Sequence, residues 1–279
     1  MTATGDTALR PDGLAGPPPT DPWRRYRPWW RVIGSLIAVV MLVSGVGRVV
    51  GELAERSEPV DEVIDADGVD GLEVRLADSD VEVVGADVAE VTISGSVTSG
   101  LRRSDFRAVR SDDLVLVTMS CGRWQAFHDC SADLRIEVPR DLAVTIDTPN
   151  SELTLRDLGG RVDAASTNSS MSVAGLSGPT RLRATNASVE ALGLRARDVD
   201  IETSNDDVRA EFVVAPDTVV IRSTNAAATV VVPDTDDFYR LQLSTSNAET
   251  TADVRSDPDS ERTLQIRTSN DDIVVRYAD

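Results

Sequence analysis

Two groups of residues in this chain have the types and spacing to do chemistry. The first is CGRWQAFHDC at 121–130, where Cys121 and Cys130, the only two cysteines, enclose the only histidine, His128. Two thiols and an imidazole begin a zinc site, but no clear fourth ligand stands nearby. Between strand-like runs, in an oxidising compartment, the pair reads better as a disulfide contributing about 2.5–3 kcal/mol by loop closure. The second group is acidic. SNDD occurs at 204–207 and again at 269–272, placing Asp206, Asp207, Asp271 and Asp272 directly after an Asn. Calcium needs about six to eight oxygens around one ion, which stacked Asp-rich turns can supply. Ala226 and Ala248 occupy the intervening turns and interrupt any continuous ladder, so the expectation is weak calcium binding at most, no metal otherwise, and no cofactor.

Catalysis finds little support. All the basic side chains are Arg, which excludes Schiff-base lysine chemistry, and a single His leaves one imidazole base. Carboxylate pairs at glycosidase spacing arise by chance among so many acids, and the few aromatics form no sugar-binding stripe. No nucleophile–base–orienter set is visible, so no enzyme is expected. Trp124, Phe127 and His128, inside the cysteine-bounded segment, have two readings. They are a partner-contacting knob, or they fold back as a cap over an open end of the core.

Such residues need elements to hold them, and the repeat supplies these. TPN, STN, ATN, TSN, STN, TSN and TSN end at Asn150, Asn168, Asn186, Asn205, Asn225, Asn247 and Asn270. Six, four and two residues before each Asn stand apolar, apolar and small side chains, for instance Val199, Ile201 and Thr203, with Thr180 the one exception at the first place. Three and five after stand further apolar or small ones, for instance Val208 and Ala210. That alternation predicts strand, bend, strand, with one face buried. None of the seven Asn precedes a Gly, so a tight hairpin is disfavoured. A corner suits better, where Asn tolerates left-handed backbone and its amide bonds to the turn. Stacked as one coil per repeat, corners lie about 4.8 Å apart and their amides form a ladder. The same parity appears around Asp78, with Leu72, Val74 and Leu76 before it and Val81 and Val83 after. The expected fold is all-β, a single-stranded β-solenoid or β-roll of about eight or more coils.

A membrane span precedes it. Residues 32–50 are predominantly apolar, with Arg48 the one charge, and reach roughly 28 Å as a helix, enough for the hydrocarbon core. Trp29 and Trp30 suit an interfacial belt, and Arg24, Arg25, Arg27 and Arg31 put the N-terminus in the cytoplasm. No small-x-small cleavage pattern follows the span, so a retained anchor is preferred to a signal peptide. The domain plan is a disordered cytoplasmic tail over 1–31, the transmembrane helix over 32–50, a linker over 51–71, and an extracytoplasmic β domain over 72–279 with a loop at 121–130. Residues 51–279 hold 22 Arg against 44 acids, which repels nucleic acid.

With VRLADSDVEVVG at 74–85, IEVPRDLAVTI at 136–146 and the train of T/S-N turns, the chain resembles the bacterial putative-adhesin family of unknown function, related to autotransporter-adhesin head domains. The resemblance covers roughly residues 72–279 and implies a β-solenoid outside the membrane, behind one transmembrane helix, with no catalytic residues. Members carry Gly or Asp after the turn where this chain often has Ala or Ser. The functional expectation is a single-pass membrane protein displaying a non-catalytic, adhesion-type surface to a protein or cell-wall partner. The alternative is an envelope sensor signalling through a cytoplasmic partner of the N-terminal tail.

Overall fold

The structure, a computed structural model, describes residues 32–42, 45, 56–99, 104–120 and 130–278. The chain divides into two compact units, Met1–Val49 and Val50–Asp279. In the first, residues 32–42 and 45 are helical, and Val32, Leu36, Met41 and Leu42 are exposed. Among the described residues no helix is long and apolar enough to cross a membrane. Residues 43–44 and 46–50 of the expected span, and the tail over 1–31, lie outside the described residues.

The second unit is all-β. Its first strands are β1 (Arg56–Asp65), β2 (Gly71–Arg75), β3 (Ser79–Ala86), β4 (Glu90–Ser99), β5 (Asp105–Ser111), β6 (Leu114–Ser120) and β7 (Cys130–Pro139). Seven strand pairs follow, each flanking one Asn corner. They are β8 (Ala143–Thr148) and β9 (Leu153–Arg156), β10 (Val162–Ser166) and β11 (Met171–Ala174), β12 (Thr180–Ala184) and β13 (Val189–Leu194), and β14 (Asp198–Glu202) and β15 (Val208–Phe212). The last three are β16 (Thr218–Arg222) and β17 (Ala228–Val232), β18 (Arg240–Ser244) and β19 (Thr250–Asp253), and β20 (Thr263–Arg267) and β21 (Ile273–Tyr277).

The strands form two mixed sheets. The 11-stranded sheet runs β1-β4-β7-β3-β9-β11-β13-β15-β17-β21-β19, and the 10-stranded sheet runs β18-β20-β16-β14-β12-β10-β8-β2-β6-β5. Each corner carries the chain from the second sheet into the first, so equivalent strands of successive repeats pair in parallel and in register. Val144 lies beside Val162, Val162 beside Thr180, Thr180 beside Val199, and Val199 beside Val219. Register is held because a one-residue slip would turn every inward side chain to solvent. The inward positions of these repeats are buried, from Leu153 and Leu155 through Ile273 and Val275. The repeat at Asn247 is the exception: Leu241 and Leu243 are half-buried, and Thr250 and Ala252 are exposed. Its strands β18 and β19 close the two sheets at one end.

Sequence order and spatial order differ at both ends. β20 sits between β16 and β18, and β21 between β17 and β19. The last repeat is therefore inserted between the two before it. PDTDD at 233–237 and RSDPDSE at 255–261 lie in the connections that carry the chain past a rung and back. The inserted repeat brings Leu264, Ile266, Ile273 and Val275 to the interior, while the weaker apolar set around Asn247 takes the end. At the other end β2 lies between β6 and β8, and β3 between β7 and β9.

One boundary needs correction. Residues 56–65, inside the expected linker over 51–71, form β1, paired antiparallel with β4 along its whole length. Its acids and Pro59 mask the strand pattern, but Val60 and Ile64 pack against the core and hold it there. The turns opposite the Asn corners form a second column: Ser177 N–H donates to Leu158 C=O at 2.9 Å, and Arg195 N–H to Leu176 C=O at 2.8 Å. Leu158, Leu176 and Leu194 are fully buried beneath them. Successive backbones touch there, since a Cβ on Gly178 would stand 2.0 Å from Gly160 O.

Candidate functional site

The seven Asn side chains, with Asp78, make one hydrogen-bonded column along an exposed corner. Asn150 Nδ2 donates to Asp78 Oδ1 at 2.9 Å, Asn168 to Asn150 at 2.7 Å, Asn186 to Asn168 at 3.1 Å and Asn205 to Asn186 at 2.6 Å. Asn225 donates to Asn205 at 3.0 Å, Asn270 to Asn225 at 2.6 Å and Asn247 to Asn270 at 2.7 Å. Every amide donates toward the Asp78 end. A carboxylate only accepts, so Asp78 is the residue type that suits the last acceptor of such a chain.

The backbone reason for Asn is not the expected one. None of the seven has positive φ; in this column only Asp78 does, at 53°. Asn recurs because an amide both donates and accepts, as a rung in the middle of a ladder must. The residue two places earlier has a separate role that spacing alone did not expose. Ser166 Oγ donates to Ser169 C=O at 3.1 Å, Thr203 Oγ1 to Asp206 C=O at 3.3 Å, and Thr268 Oγ1 to Asp271 C=O. These buried hydroxyls cap the bend locally, the usual work of Ser and Thr in turns. Thr148, at the same place in the first corner, is buried with its hydroxyl unpartnered.

The acidic pairs are engaged in the same corner. Asp207 Oδ1 accepts from Ala227 N–H at 3.1 Å and Asp272 Oδ1 from Glu249 N–H at 2.8 Å, each reaching the next rung; Asp80 Oδ1 treats Glu152 N–H likewise at 3.2 Å. Asp271 Oδ1 accepts from Asp272 N–H at 2.8 Å, and Asp206 lines the corner groove. Because β20 is inserted beside β16, the Asp206 and Asp271 corners have one rung between them, that of Ala226, and the rung of Ala248 lies beyond. Among the described residues no group of three His, Cys, Asp or Glu side chains is placed to hold a metal ion.

Beside the column runs a polar groove of about 420 Å³, lined by Asn168, Ser169, Ser170, Asn186 and Ser188, with Asp80, Glu152 and Asp206 at its margins. It offers hydroxyls, amides and carboxylates to a hydrated polar ligand. NSS at 168 and NAS at 186 match the N-glycosylation pattern, yet both Nδ2 atoms are committed to the ladder.

The outward faces carry ion pairs across neighbouring rungs. Asp200 lies between Arg222, at 2.9 Å, and Arg181, at 4.0 Å; Arg183 meets Asp163 at 2.8 Å. Near the far loops Arg262 ties its own segment to residues 215–217 and to Asp237. It pairs with Asp217 and with Asp237, the latter at 3.1 Å, and donates to Ala215 and Pro216 C=O at 3.2 Å each. Tyr239 is fully buried close by with its hydroxyl unpartnered. Burial pushes its phenol up to about 12, and Asp237 adds to the shift.

Of the cysteine-bounded segment, Cys130 opens β7 opposite Ser99. Cys121, Trp124, Phe127 and His128 lie outside the described residues.

No protein-family model matches the chain, and no curated protein matches its sequence. Among the solved structures that resemble it, three share 9% identity with this chain. A putative cell adhesion protein from Clostridium sporogenes aligns over 80% of this chain and 100% of its own, with a TM-score of 0.31. A putative lipid binding protein from Parabacteroides distasonis aligns over 82% and 98%, with a TM-score of 0.31. A putative adhesin from Parabacteroides merdae aligns over 80% and 97%, with a TM-score of 0.27.

Proposed function

We propose that this chain is a membrane-anchored β-solenoid that displays a stiff, acidic, non-catalytic surface for adhesion-type contact outside the cell membrane. The observation that carries the reading is the column of side-chain hydrogen bonds from Asp78 to Asn247. Rungs locked in register at a corner keep their outward side chains at fixed spacing along an extended face, which suits a repetitive contact surface. The helical residues 32–42, with exposed apolar side chains behind a Trp and Arg-rich stretch, support the anchor and a cytoplasmic N-terminus. Cys121 and Cys130, the only two cysteines of the sequence, suit a disulfide and an oxidising compartment.

The test is topology followed by contact. The full chain, tagged at both ends, is expressed in intact cells and exposed to external protease. Loss of the C-terminal tag with survival of the N-terminal tag is expected; a protected C-terminal tag contradicts the reading. Crosslinking from the exposed surface then identifies the partner class. Specific capture of a cytosolic protein by residues 1–31 would favour sensing over display.

A further inference from the structure

The two connections that carry the chain past a rung and back also build a cavity of about 700 Å³, on the edge opposite the Asn column. It lies between residues 236–238 of one connection and 257–262 of the other, beside Arg197 and Asp217 of the neighbouring turns. The two connections are tied together. Ser260 Oγ donates to Phe238 C=O at 2.6 Å, Arg240 Nε donates to Pro258 C=O at 2.9 Å, and Tyr239 pairs in parallel with Ser256. Six carboxylates line the cavity against two guanidinium groups, and both Arg are already committed. Arg197 pairs with Asp217 at 3.1 Å, and Arg262 pairs with Asp217 and Asp237. Asp236 meets Arg255 at 3.4 Å. Asp257, Asp259 and Glu261 pair with no cation among the described residues. Phe238 stands beside them at 49% exposure, the one exposed aromatic ring among the described residues. Strand parity puts it there, since Tyr239, Leu241 and Leu243 face inward. Behind the wall, the buried Tyr239 hydroxyl has no hydrogen-bond partner and lies within electrostatic reach of Asp237 and Arg262. A buried donor left unmet beside a cavity calls for an occupant, water or ligand.

We propose that this cavity is a docking site for a basic side chain, Lys or Arg, carried by an extended segment of a partner protein. Three unpaired carboxylates set the field, and the face of the Phe238 ring attracts an ammonium or guanidinium group as well. A metal ion suits the site less, because no three acidic side chains among the described residues converge on one point, and an ion has no use for the ring. An apolar or anionic ligand would leave the carboxylates uncompensated. The volume falls within the about 300–1,000 Å³ of ordinary ligand sites, enough for a long side chain and the backbone that carries it. The proposal rests on the display reading and deepens it, by naming the chemistry of the contact.

Fluorescein-labelled tetralysine, titrated with the full chain in detergent at about 0.15 M salt and read by anisotropy, tests it. Saturable binding at about 10–100 µM is expected, and none for the same peptide acetylated on every Nζ. D259N/E261Q weakens binding about tenfold, and F238L, which keeps apolar bulk but removes the ring, about two- to fivefold. The Asp259 and Glu261 side chains bond to nothing among the described residues, so these variants keep the wild-type circular dichroism. Asp257 is left in place because its Oδ1 accepts from Asp259 N–H at 2.8 Å. E190Q/E202Q removes the same charge from exposed, unpaired acids elsewhere, reads the diffuse pull of the acidic chain, and stays within about twofold of wild type. Absence of binding, equal weakening by both charge pairs, indifference to F238L, or a site that takes calcium in place of the peptide overturns the proposal. The assay needs no membrane topology, so its failure leaves the protease result standing.

Discussion

Replacing Asn186 by Asp tests the direction of the ladder as well as its existence. Asn186 donates to Asn168 at 3.1 Å and accepts from Asn205 at 2.6 Å. Asn186→Ala removes both bonds at an exposed site, at about 0.5–1.5 kcal/mol each, for a loss of about 1–2 kcal/mol. Asn186→Asp keeps the acceptor but sets a carboxylate oxygen against Asn168 Oδ1, so its cost rises to about 2–3 kcal/mol despite being nearly isosteric. At the end of the column the preference reverses. Asp78 only accepts, so Asp78→Asn is expected to stay within about 0.5 kcal/mol of wild type. Urea denaturation followed by circular dichroism reads all three, with unchanged slope as the control for cooperativity. The reasoning fails if Asn186→Asp is no worse than Asn186→Ala, or if Asp78→Asn destabilises as much as Asn186→Asp.

Tyr239→Phe removes a buried, unpartnered hydroxyl and is expected to be neutral or stabilising by about 1 kcal/mol. Its pH signature is sharper. With the folded phenol raised to about 12, the unfolded chain ionises first, so stability falls as pH rises from about 10 to 12, by about 2–3 kcal/mol. The Phe variant should lose that alkaline decline in a pH series of denaturation midpoints. Gly178→Ala places a methyl 2.0 Å from Gly160 O, a main-chain atom that cannot step aside, and should cost about 3 kcal/mol or more in the same assay. Labelling unfolded, unreduced protein with a thiol reagent should find no free cysteine, and reduction should lower stability by about 2.5–3 kcal/mol.

The two-sheet body was legible in the sequence because parity is local. Val199, Ile201 and Thr203 before Asn205, and Val208 and Ala210 after it, declare their inward face without reference to any other repeat. The ladder followed from the spacing of the seven Asn. Why Asn was needed there did not, since a left-handed corner and a donor–acceptor rung predict the same residue, and only backbone angles separate them. The order of rungs was not legible at all. The repeats at Asn247 and Asn270 share one parity, so either could stack on Asn225. The choice rests on how much apolar surface each buries and on how far loops 233–237 and 255–261 reach. β1 escaped because an edge strand guarded by Glu58, Pro59, Asp61 and Glu62 has the composition of a linker, with only Val60 and Ile64 to betray it. The acidic corners looked like ligands in waiting, but Asp207 and Asp272 are engaged with neighbouring backbone N–H groups, partners no single repeat reveals.

The central claim is that the repeats stack as in-register rungs with the last one inserted between its two predecessors. Paired cysteines at the corners test it most directly, because adjacent rungs lie about 4.8 Å apart, within disulfide reach, and alternate rungs about twice that. Mild oxidation followed by peptide mapping should link Asn225→Cys to Asn270→Cys, and Asn247→Cys to Asn270→Cys, while leaving Asn225→Cys with Asn247→Cys unlinked. Efficient linkage of 225 to 247 with none of 225 to 270 would contradict the account.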